Sequence, residues 1–289
     1  MGYPIVAKTL ARRLPILGRV IRQRDEIWQT LQQTRAELSE LTVDLAKATA
    51  LLREREAGQG RGYCHCCRRQ TVFEIRDPWL RDHYICTICQ SIPRQRHIQY
   101  LLDTCFPQWE SQVIHESSPS NGFIAQWCSS YSSSHFYVER PPGSMVDGVR
   151  CENLEALAFP DALFDIFITQ DVLEHVFHPD RALAEITRVL KPGGVHIFTT
   201  PKYRDKPKSY PRARLSADGE VTYLMEAQYH GNPIGDGRSL VTWDYGRDFE
   251  VLAAEWAGAP TVTYITKDRS LGLDAEFIEV FVTRKPDAG

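Results

Sequence analysis

Four cysteines between residues 64 and 89 have the spacing of a metal site. They form the pattern C-x2-C-x18-C-x2-C, with Cys64 and Cys67 in the first pair and Cys86 and Cys89 in the second. Two such knuckles allow four thiolates to converge on one tetrahedral zinc ion. Four thiolates leave no open coordination position, so the predicted zinc is structural.

The residues around these cysteines leave some choice of ligand. Cys66 could replace a ligand at the first knuckle, and His65, His83 and His97 lie nearby in the chain. The length between the knuckles matches a zinc-ribbon or treble-clef hairpin. A thioredoxin-like redox role is disfavoured, because it requires the CxxC at the start of a helix within a βαβ pattern.

Three other side chains could act as general bases. Asp171 and His175 lie in the segment TQDVLEH, and His230 lies among the turn-forming residues YHGNPIGDG. Carboxylate and imidazole groups accept protons near neutral pH when their surroundings are suitable. A purely structural hydrogen-bonding role for His230 remains an open alternative.

Residues 164–201 predict the elements that position these groups. The apolar run beginning at Phe164 is typical of a strand buried on both faces of a parallel sheet. Pro179 opens a segment in which Leu183, Ile186 and Leu190 recur at helical spacing, and the glycines of KPGG are expected to close that helix before the strand VHIF. Ligands bind beyond the carboxyl ends of such strands. The residues expected there are Thr169, Gln170, Asp171, Glu174, His175 and 199–202.

The motifs FDIFITQDVLEHV and ALAEITRVLKPGG, in this order, resemble class I S-adenosylmethionine-dependent methyltransferases of the type 11 kind. The resemblance covers roughly residues 94–284. It implies an α/β, doubly wound, Rossmann-like sheet of seven strands, with residues 261–266 and 276–283 as its final antiparallel hairpin. It also implies S-adenosylmethionine as cofactor.

The resemblance places the cofactor loop directly after a strand at Val113 and Ile114. The pattern of the family there is acidic-x-G-x-G-x-G, and this chain has Glu116 followed by serines, with Gly122 as the only remaining glycine. Either the serine-rich loop still cradles the cofactor, or the pocket has lost it. The loop residues implied to bind are Glu116, Ser117, Ser118, Pro119 and Gly122.

Further cofactor contacts follow from the same resemblance. Residues 136–139 resemble the second strand, in which Glu139 would accept hydrogen bonds from the ribose hydroxyls. Asn153 and Leu154 resemble the segment that contacts adenine, with Asn153 where many relatives have aspartate. Gln170 would complete the cofactor crevice.

The resemblance favours methyl transfer to an oxygen of a saccharide or small-molecule natural product. His175, His230 and Asp171 are the groups that could deprotonate a poorly acidic hydroxyl. An RNA methyltransferase is one alternative, with the cysteine module and the basic residues 201–220 as its grip, although the overall acidity disfavours nucleic acid. Residues 201–220 could instead form a lid that attracts an anionic acceptor, or a solvated charge run. A non-catalytic scaffold is the second alternative.

Residues 17–56 predict a coiled coil. Apolar residues alternate by three and four along the segment, and neither proline nor glycine interrupts 19–57. A homodimer is therefore expected. The alternative is a single long helix packed on its own domain, which would need a wider apolar stripe.

Composition and the remaining segments limit the classes of protein to which the chain can belong. With 43% hydrophobic residues, 25% charged residues and a net charge of -3, bulk charge does not indicate nucleic-acid binding. Eight cysteines without a secretory leader predict a reducing compartment, with the cytoplasm as default. Residues 1–24 are basic and amphipathic, and predict either a solvated segment that leads into the next helix or a peripheral membrane contact.

The predicted organisation is a basic segment at 1–24, a coiled coil at 17–56, a zinc module at 63–93 and a methyltransferase domain at 94–284. Arg94, Arg96 and His97 are expected to form the solvated start of a helix over 94–104.

Overall fold

A computed structural model describes residues 23–24, 26–46, 49, 59–232 and 237–287. The chain divides into two compact units, Met1–Gly58 and Gln59–Gly289. The predicted basic segment, apart from residues 23–24, lies outside the described residues, and so do both ends of the predicted coiled coil. Within the described ranges, each helix is too short or too polar to cross a bilayer.

The first unit contains one described helix, α1, over residues 26–46. Its predicted seam is exposed: the side chains of Leu31, Leu38, Leu41 and Leu45 are each more than half accessible, Leu45 at 68%. Burying such a leucine contributes about 1.5–3 kcal/mol. The helix is confirmed where it is described, and the pairing of two chains stays a prediction.

The second unit begins with a small antiparallel sheet that carries the cysteines. It consists of β1 (Gln59–Cys64), β2 (Arg69–Ile75) and β3 (Tyr84–Cys86), with the short helix α2 (Leu80–His83) before β3. The module therefore starts at Gln59, four residues before its predicted boundary, because β1 pairs with β2 from Gln59 onward. Phe73 and Tyr84 form its small core with the buried cysteines.

An eight-stranded mixed sheet forms the centre of this unit. Its strands are β4 (Ile114–Ser117), β5 (Tyr131–His135), β6 (Met145–Val146), β7 (Val149–Cys151), β8 (Phe164–Gln170), β9 (Leu190–Thr199), β16 (Thr261–Tyr264) and β17 (Val280–Arg284). Their order is β16-β17-β9-β8-β4-β5-β7-β6, in which β9, β8, β4, β5 and β7 run parallel. The predicted seven strands and antiparallel final hairpin are present. The eighth strand is the two-residue edge β6, which pairs antiparallel with β7.

Helices cover both faces of the sheet, as expected for the Rossmann-like α/β class. The helices are α3 (Pro93–Cys105), α4 (Pro179–Val189) and α5 (Phe249–Ala257). On one face Leu183 and Phe249 pack with Phe198 of the sheet. On the other face Leu102 packs with Ile168. The central strands are thus buried on both sides, which explains their uninterrupted apolar runs.

Shorter elements complete the unit above the sheet. Three two-stranded ribbons pair β10 (Tyr210–Pro211) with β15 (Trp243–Asp244), β11 (Ala213–Leu215) with β12 (Val221–Tyr223), and β13 (Tyr229–Gly231) with β14 (Arg238–Leu240). Single 3-10 turns span Trp109–Ser111, Ile124–Gln126, Leu173–His175 and Arg269–Leu271.

The predicted strand over residues 136–139 was wrong, because the second strand is β5 and ends at His135. Its sequence YSSSH has little β-type character, yet it pairs with β4. The buried ring of His115 explains this pairing, since it hydrogen-bonds Ser132 Oγ and Ser134 Oγ, each at 2.9 Å. Polar side chains that satisfy one another can occupy a sheet interior.

Two expectations about helix ends also changed. Helix α4 ends at Val189, before KPGG, and β9 already begins at Leu190. Gly193, at φ +74°, sits inside the strand's irregular start rather than closing the helix.

The start of α3 is buried rather than solvated. Arg96 donates to the carbonyls of Ser91, Tyr84 and Gly272, the last two at 2.7 Å, and His97 Nδ1 donates to Ile278 O at 2.7 Å. Arg96 and His97 are both fully buried. Arg96 therefore joins the cysteine module to Gly272, and His97 joins α3 to Ile278, both in the segment that precedes β17.

Candidate active site

A cavity of about 1350 Å³ lies beyond the carboxyl ends of the parallel strands. Serines of the loop after β4 line one part of it, and the β13–β14 ribbon lines another. Pockets for a single drug-sized ligand occupy roughly 300–1,000 Å³. The cavity therefore has room for two ligands side by side. The predicted residues that line it are Ser117, Ser118, Asn153, Leu154, Gln170, Asp171, His175 and His230.

The loop after β4 forms a concave turn without the expected glycines. Ser118 has φ +53°, the left-handed region that favours glycine, and its N–H donates to Ser134 O at 2.7 Å. Ser117, Ser118 and Ser120 line the cavity, whereas Pro119 and Gly122 of the predicted loop do not. A serine thus adopts the backbone conformation for which the family pattern uses glycine.

Glu116 lies beneath this loop and is completely buried. It accepts hydrogen bonds from Tyr131 Oη at 2.9 Å and Gln170 Nε2 at 2.6 Å. Burial raises the pKa of Glu116 to about 7, and the two hydrogen bonds offset only part of that effect. Glu116 supports the cavity through Gln170, which lines it directly.

The predicted ribose ligand is not part of this cavity. Glu139 is exposed in a turn four residues beyond the end of β5, and it does not line the cavity. His135, the last residue of β5, does line it. Asn153 Oδ1 accepts from Glu155 N at 2.9 Å, which leaves one oxygen lone pair for a ligand.

Asp171 is held by two arginines. Its carboxylate is 2.6 Å from Arg81 Nη2 and 3.1 Å from Arg94 Nε, and it accepts from Thr199 Oγ1 at 2.8 Å. Burial alone would raise the pKa of Asp171, but the two guanidinium groups lower it to about 2. A carboxylate with this pKa is a poor base, so the geometry disfavours the predicted catalytic role of Asp171.

Glu174, His175 and His230 come together at another part of the cavity, where the two histidines line it and Glu174 is buried beside them. Glu174 Oε1 is 3.9 Å from His175 Nε2 and 3.8 Å from His230 Nδ1. Burial, followed by the negative charge of Asp171, raises the pKa of Glu174 to about 8. Burial lowers the pKa of His175 to about 4 and also lowers the pKa of His230. Both imidazoles are therefore neutral at pH 7, and a pKa of about 4 makes His175 a weaker base than an ordinary imidazole.

The basic residues of 201–220 are mostly engaged within the fold. Lys206 and Arg212 both pair with the buried carboxylate of Asp244, and Lys202 pairs with Glu250. Arg204 pairs with Glu279 at 2.6 Å. These ion pairs fix the segment to the domain, so these four charges are poorly placed to attract an anionic acceptor.

The four predicted zinc ligands converge. Cys64 Sγ is 3.7 Å from Cys89 Sγ, Cys67 Sγ is 4.0 Å from Cys86 Sγ, and all four sulfurs lie within 4.8 Å of one another. Zinc–sulfur bonds of ~2.3 Å in a tetrahedron require sulfur–sulfur separations of ~3.8 Å. The donor set therefore fits Zn²⁺. His65 Nδ1 instead contacts Asp103 at 2.7 Å.

Sequence reasoning missed several contributors to the site, Arg81, Arg94 and His135 among them. Arg81 and Arg94 were not expected at the cavity, and His135 was not expected to end the second strand there. Glu174 was placed in the crevice without a role. The one signal in the sequence for a role of Glu174 was its position in LEH, next to the candidate base His175. No signal in the sequence pointed to the two arginines, because their partner Asp171 is far along the chain.

Comparison with known proteins agrees with the sequence resemblance over part of the chain. Residues 120–198 match the family described as "Methyltransferase domain". A probable S-adenosylmethionine-dependent methyltransferase of Mycolicibacterium smegmatis is 34% identical over 84 residues, 27% of this chain and 33% of that protein. A ubiquinone biosynthesis O-methyltransferase of Roseobacter denitrificans is 33% identical over 75 residues, 26% of this chain and 29% of that protein.

The similarity is local. These alignments span about a third or less of each relative's length. Among solved structures, an S-adenosylmethionine dependent methyltransferase from Mesorhizobium loti is 17% identical with a TM-score of 0.43, over 65% of this chain and 98% of that chain. The family match and the names of the relatives support an S-adenosylmethionine-dependent methyltransferase.

The buried Glu116 generates a pH prediction. Its pKa rises from 4.5 to about 7 on folding, so between these pH values the unfolded chain loses a proton that the folded protein keeps. The contribution of Glu116 to the free energy of unfolding therefore falls as the pH rises. We expect Glu116→Gln to gain stability relative to wild type across this window, by up to ~3 kcal/mol at ~1.36 kcal/mol per pKa unit.

Urea denaturation at several pH values measures this difference. Exposed Glu220→Gln is the matched control and should show a pH-independent difference. A Glu116→Gln difference that stays constant from pH 4.5 to 7 would contradict the proposed protonation of Glu116.

Proposed function

We propose that the protein transfers the methyl group of S-adenosylmethionine to a hydroxyl of a saccharide or a small-molecule natural product. The observation that carries the proposal is the division of one cavity into two differently built ends. The loop of Ser117, Ser118 and Ser120 lies beside His135, Asn153 and Gln170 at the first end. The second end is lined by His175 and His230, with the buried Glu174 beside them.

The first end fits the cofactor. The left-handed turn at Ser118 shapes a concave loop at the carboxyl end of β4, where ligands of such sheets bind. Gln170 presents a buried amide oxygen that lacks a hydrogen-bond partner among the described residues. A ligand amine or hydroxyl there would satisfy it. When bound, S-adenosylmethionine supplies an activated methyl group on a sulfonium.

The second end fits a hydroxyl acceptor with apolar ring faces. Trp79, Tyr203 and Phe277 form an aromatic wall, with ring centroids 6.1 Å apart for Trp79 and Phe277 and 5.3 Å apart for Tyr203 and Phe277. Aromatic faces bind the apolar faces of sugars or planar rings, while nearby polar groups fix orientation. The cavity thus combines stacking with acid-base groups.

The chain's main contribution to the reaction is positioning. The acceptor oxygen forms a bond to the methyl carbon while the carbon–sulfur bond breaks, and the bonding electron pair goes to sulfur to give S-adenosylhomocysteine. The hydroxyl proton passes to a base at the acceptor end, where His175 and His230 are neutral. Holding both reactants in one cavity supplies the largest part of the rate gain.

The alternatives rest on weaker features. An RNA methyltransferase would need free basic residues along the cavity rim, but Lys202, Lys206 and Arg212 are paired within the fold. A non-catalytic scaffold would retain the fold without the cofactor. Cofactor binding distinguishes the scaffold from an enzyme.

Calorimetry with S-adenosylmethionine and S-adenosylhomocysteine tests the proposal. We expect binding to wild type and about two- to tenfold weaker binding to His135→Ala, because one hydrogen bond contributes about 0.5–1.5 kcal/mol. His178→Ala is the matched control, since His178 does not line the cavity. Absence of binding at millimolar cofactor would favour the scaffold.

We also propose that Cys64, Cys67, Cys86 and Cys89 hold one structural zinc. The sulfur geometry supports this, and the closed donor set has no position for a substrate. Metal analysis should find one zinc per chain that Cys86→Ser loses together with stability. Cys105→Ser, at an exposed cysteine, should keep both. A folded, zinc-free wild type would refute the site.

We further propose a homodimer through a parallel coiled coil over residues 17–56. The exposed seam leucines of α1 support it, because water-exposed leucines at heptad positions gain burial on pairing. Light scattering should give a dimer for the full-length protein and a monomer for Leu38→Glu combined with Leu45→Glu. Val43→Glu, an exposed position off the seam, is the control and should stay dimeric. A monomeric wild type would contradict the proposal.

A cytoplasmic location and a peripheral membrane contact through residues 1–24 remain proposals on the same sequence grounds.

A further inference from the structure

Glu174 has a buried oxygen that nothing in the described part of the chain satisfies. Its side chain is only 2% exposed, and Oε2 accepts from Thr200 Oγ1 at 3.0 Å. Oε1 has no hydrogen-bond partner among the described residues and points toward His175 and His230. Buried carboxylate oxygens without partners are costly, so such an oxygen beside two cavity-lining histidines indicates a missing ligand.

The imidazole of His175 directs a lone pair toward this oxygen. His175 Nδ1 donates to the carbonyl of Leu240 at 2.8 Å, because a carbonyl can only accept. Nε2 of the same ring therefore carries the lone pair, and it lies on the Glu174 side. A backbone carbonyl that fixes the tautomer of a histidine is the usual outer-shell arrangement at metal sites. His230 Nδ1 approaches from the β13–β14 ribbon.

The balance of charges around Glu174 is compatible with a bound cation. Arg81 and Arg94 are balanced by Asp171 and Asp82, with Arg94 contacting both of these carboxylates. Glu174 is the additional acidic group in this cluster, and it forms no ion pair with either arginine among the described residues. A bound cation would pair with Glu174 without breaking an existing pair.

We propose that Glu174 Oε1, His175 Nε2 and His230 Nδ1 bind one first-row divalent cation at the acceptor end of the cavity. The three atoms lie within 4.8 Å of one another. Metal–ligand bonds of ~2.1 Å place neighbouring ligands ~3.0–3.4 Å apart, so the present separations of 3.9 Å to His175 and 3.8 Å to His230 would shorten on metal binding. Two histidines and one carboxylate leave coordination positions open.

The inference deepens the proposed function and rests on it for the role of the metal. The open positions face the same cavity as Trp79, Tyr203 and Phe277. Two adjacent oxygens of an acceptor could occupy neighbouring positions on one cation, which would lower the pKa of a bound hydroxyl. With the cation bound, the lone pairs of His175 and His230 would be held by the metal, so the hydroxyl proton would pass to water instead of to a histidine. The substrate class is therefore an acceptor with vicinal hydroxyls, either a sugar diol or a catechol-like ring.

Manganese binding tests the site without requiring turnover. The full-length, zinc-loaded protein is titrated with MnCl₂, and free Mn²⁺ is measured by electron paramagnetic resonance. Manganese prefers oxygen and nitrogen ligands, so the four-cysteine centre is not counted. We expect one Mn²⁺ per chain in wild type and at least tenfold weaker binding in His230→Ala. His178→Ala, a histidine outside the cavity, should bind as wild type.

Glu174→Gln is the second variant, because it keeps the side-chain length and the acceptor for Thr200. Thermal melting confirms that each variant is folded. The site is overturned if wild type does not bind Mn²⁺ at millimolar concentration, or if His230→Ala and Glu174→Gln both bind Mn²⁺ as tightly as wild type does. If the protein binds S-adenosylmethionine but fails to bind Mn²⁺, the metal site alone is refuted. If it binds Mn²⁺ but fails to bind the cofactor, the methyltransferase proposal is refuted and the metal site stands.

Discussion

The buried ion pairs between Asp171 and the arginines Arg81 and Arg94 hold the candidate site together. Arg81 comes from the short helix of the cysteine module, Arg94 from the start of α3, and Asp171 from the carboxyl end of β8. Removing one partner of such a cluster leaves a buried charge and typically costs 3–5 kcal/mol. The arrangement therefore fixes the cysteine module at the mouth of the cavity, and with it Trp79 of the aromatic wall.

The same cluster explains why three nearby carboxyl groups differ in protonation. Asp171, beside two guanidinium groups, has a pKa of about 2, whereas burial without a paired cation gives Glu116 about 7 and Glu174 about 8. Environments that separate the pKa values of similar groups are a mark of functional sites. Here they separate the charged anchor Asp171 from two buried carboxyl groups that lack a paired cation.

The acceptor end is built from residues far apart in sequence. His175 follows β8, whereas His230 and Leu240 belong to the β13–β14 ribbon near the end of the chain. The hydrogen bond from His175 to Leu240 ties that ribbon to the turn that carries Glu174. Ion pairs from Lys202 and Lys206 to the domain hold the intervening segment in place. Lys202 and Lys206 thus hold that segment in place and do not serve to bind a ligand.

The sequence by itself determined the central elements and the cysteine cluster. Apolar runs specified β8 and β9, helical spacing specified α4, and the spacing of four cysteines specified their convergence, because each pattern is local. Tertiary structure alone decided the rest. The strand YSSSH is stabilised by His115 on its neighbour, and Asp171 became an anchor through Arg81, 90 residues earlier. A side chain's burial and its distant partners set its charge and its role, and neither is encoded in the residues beside it.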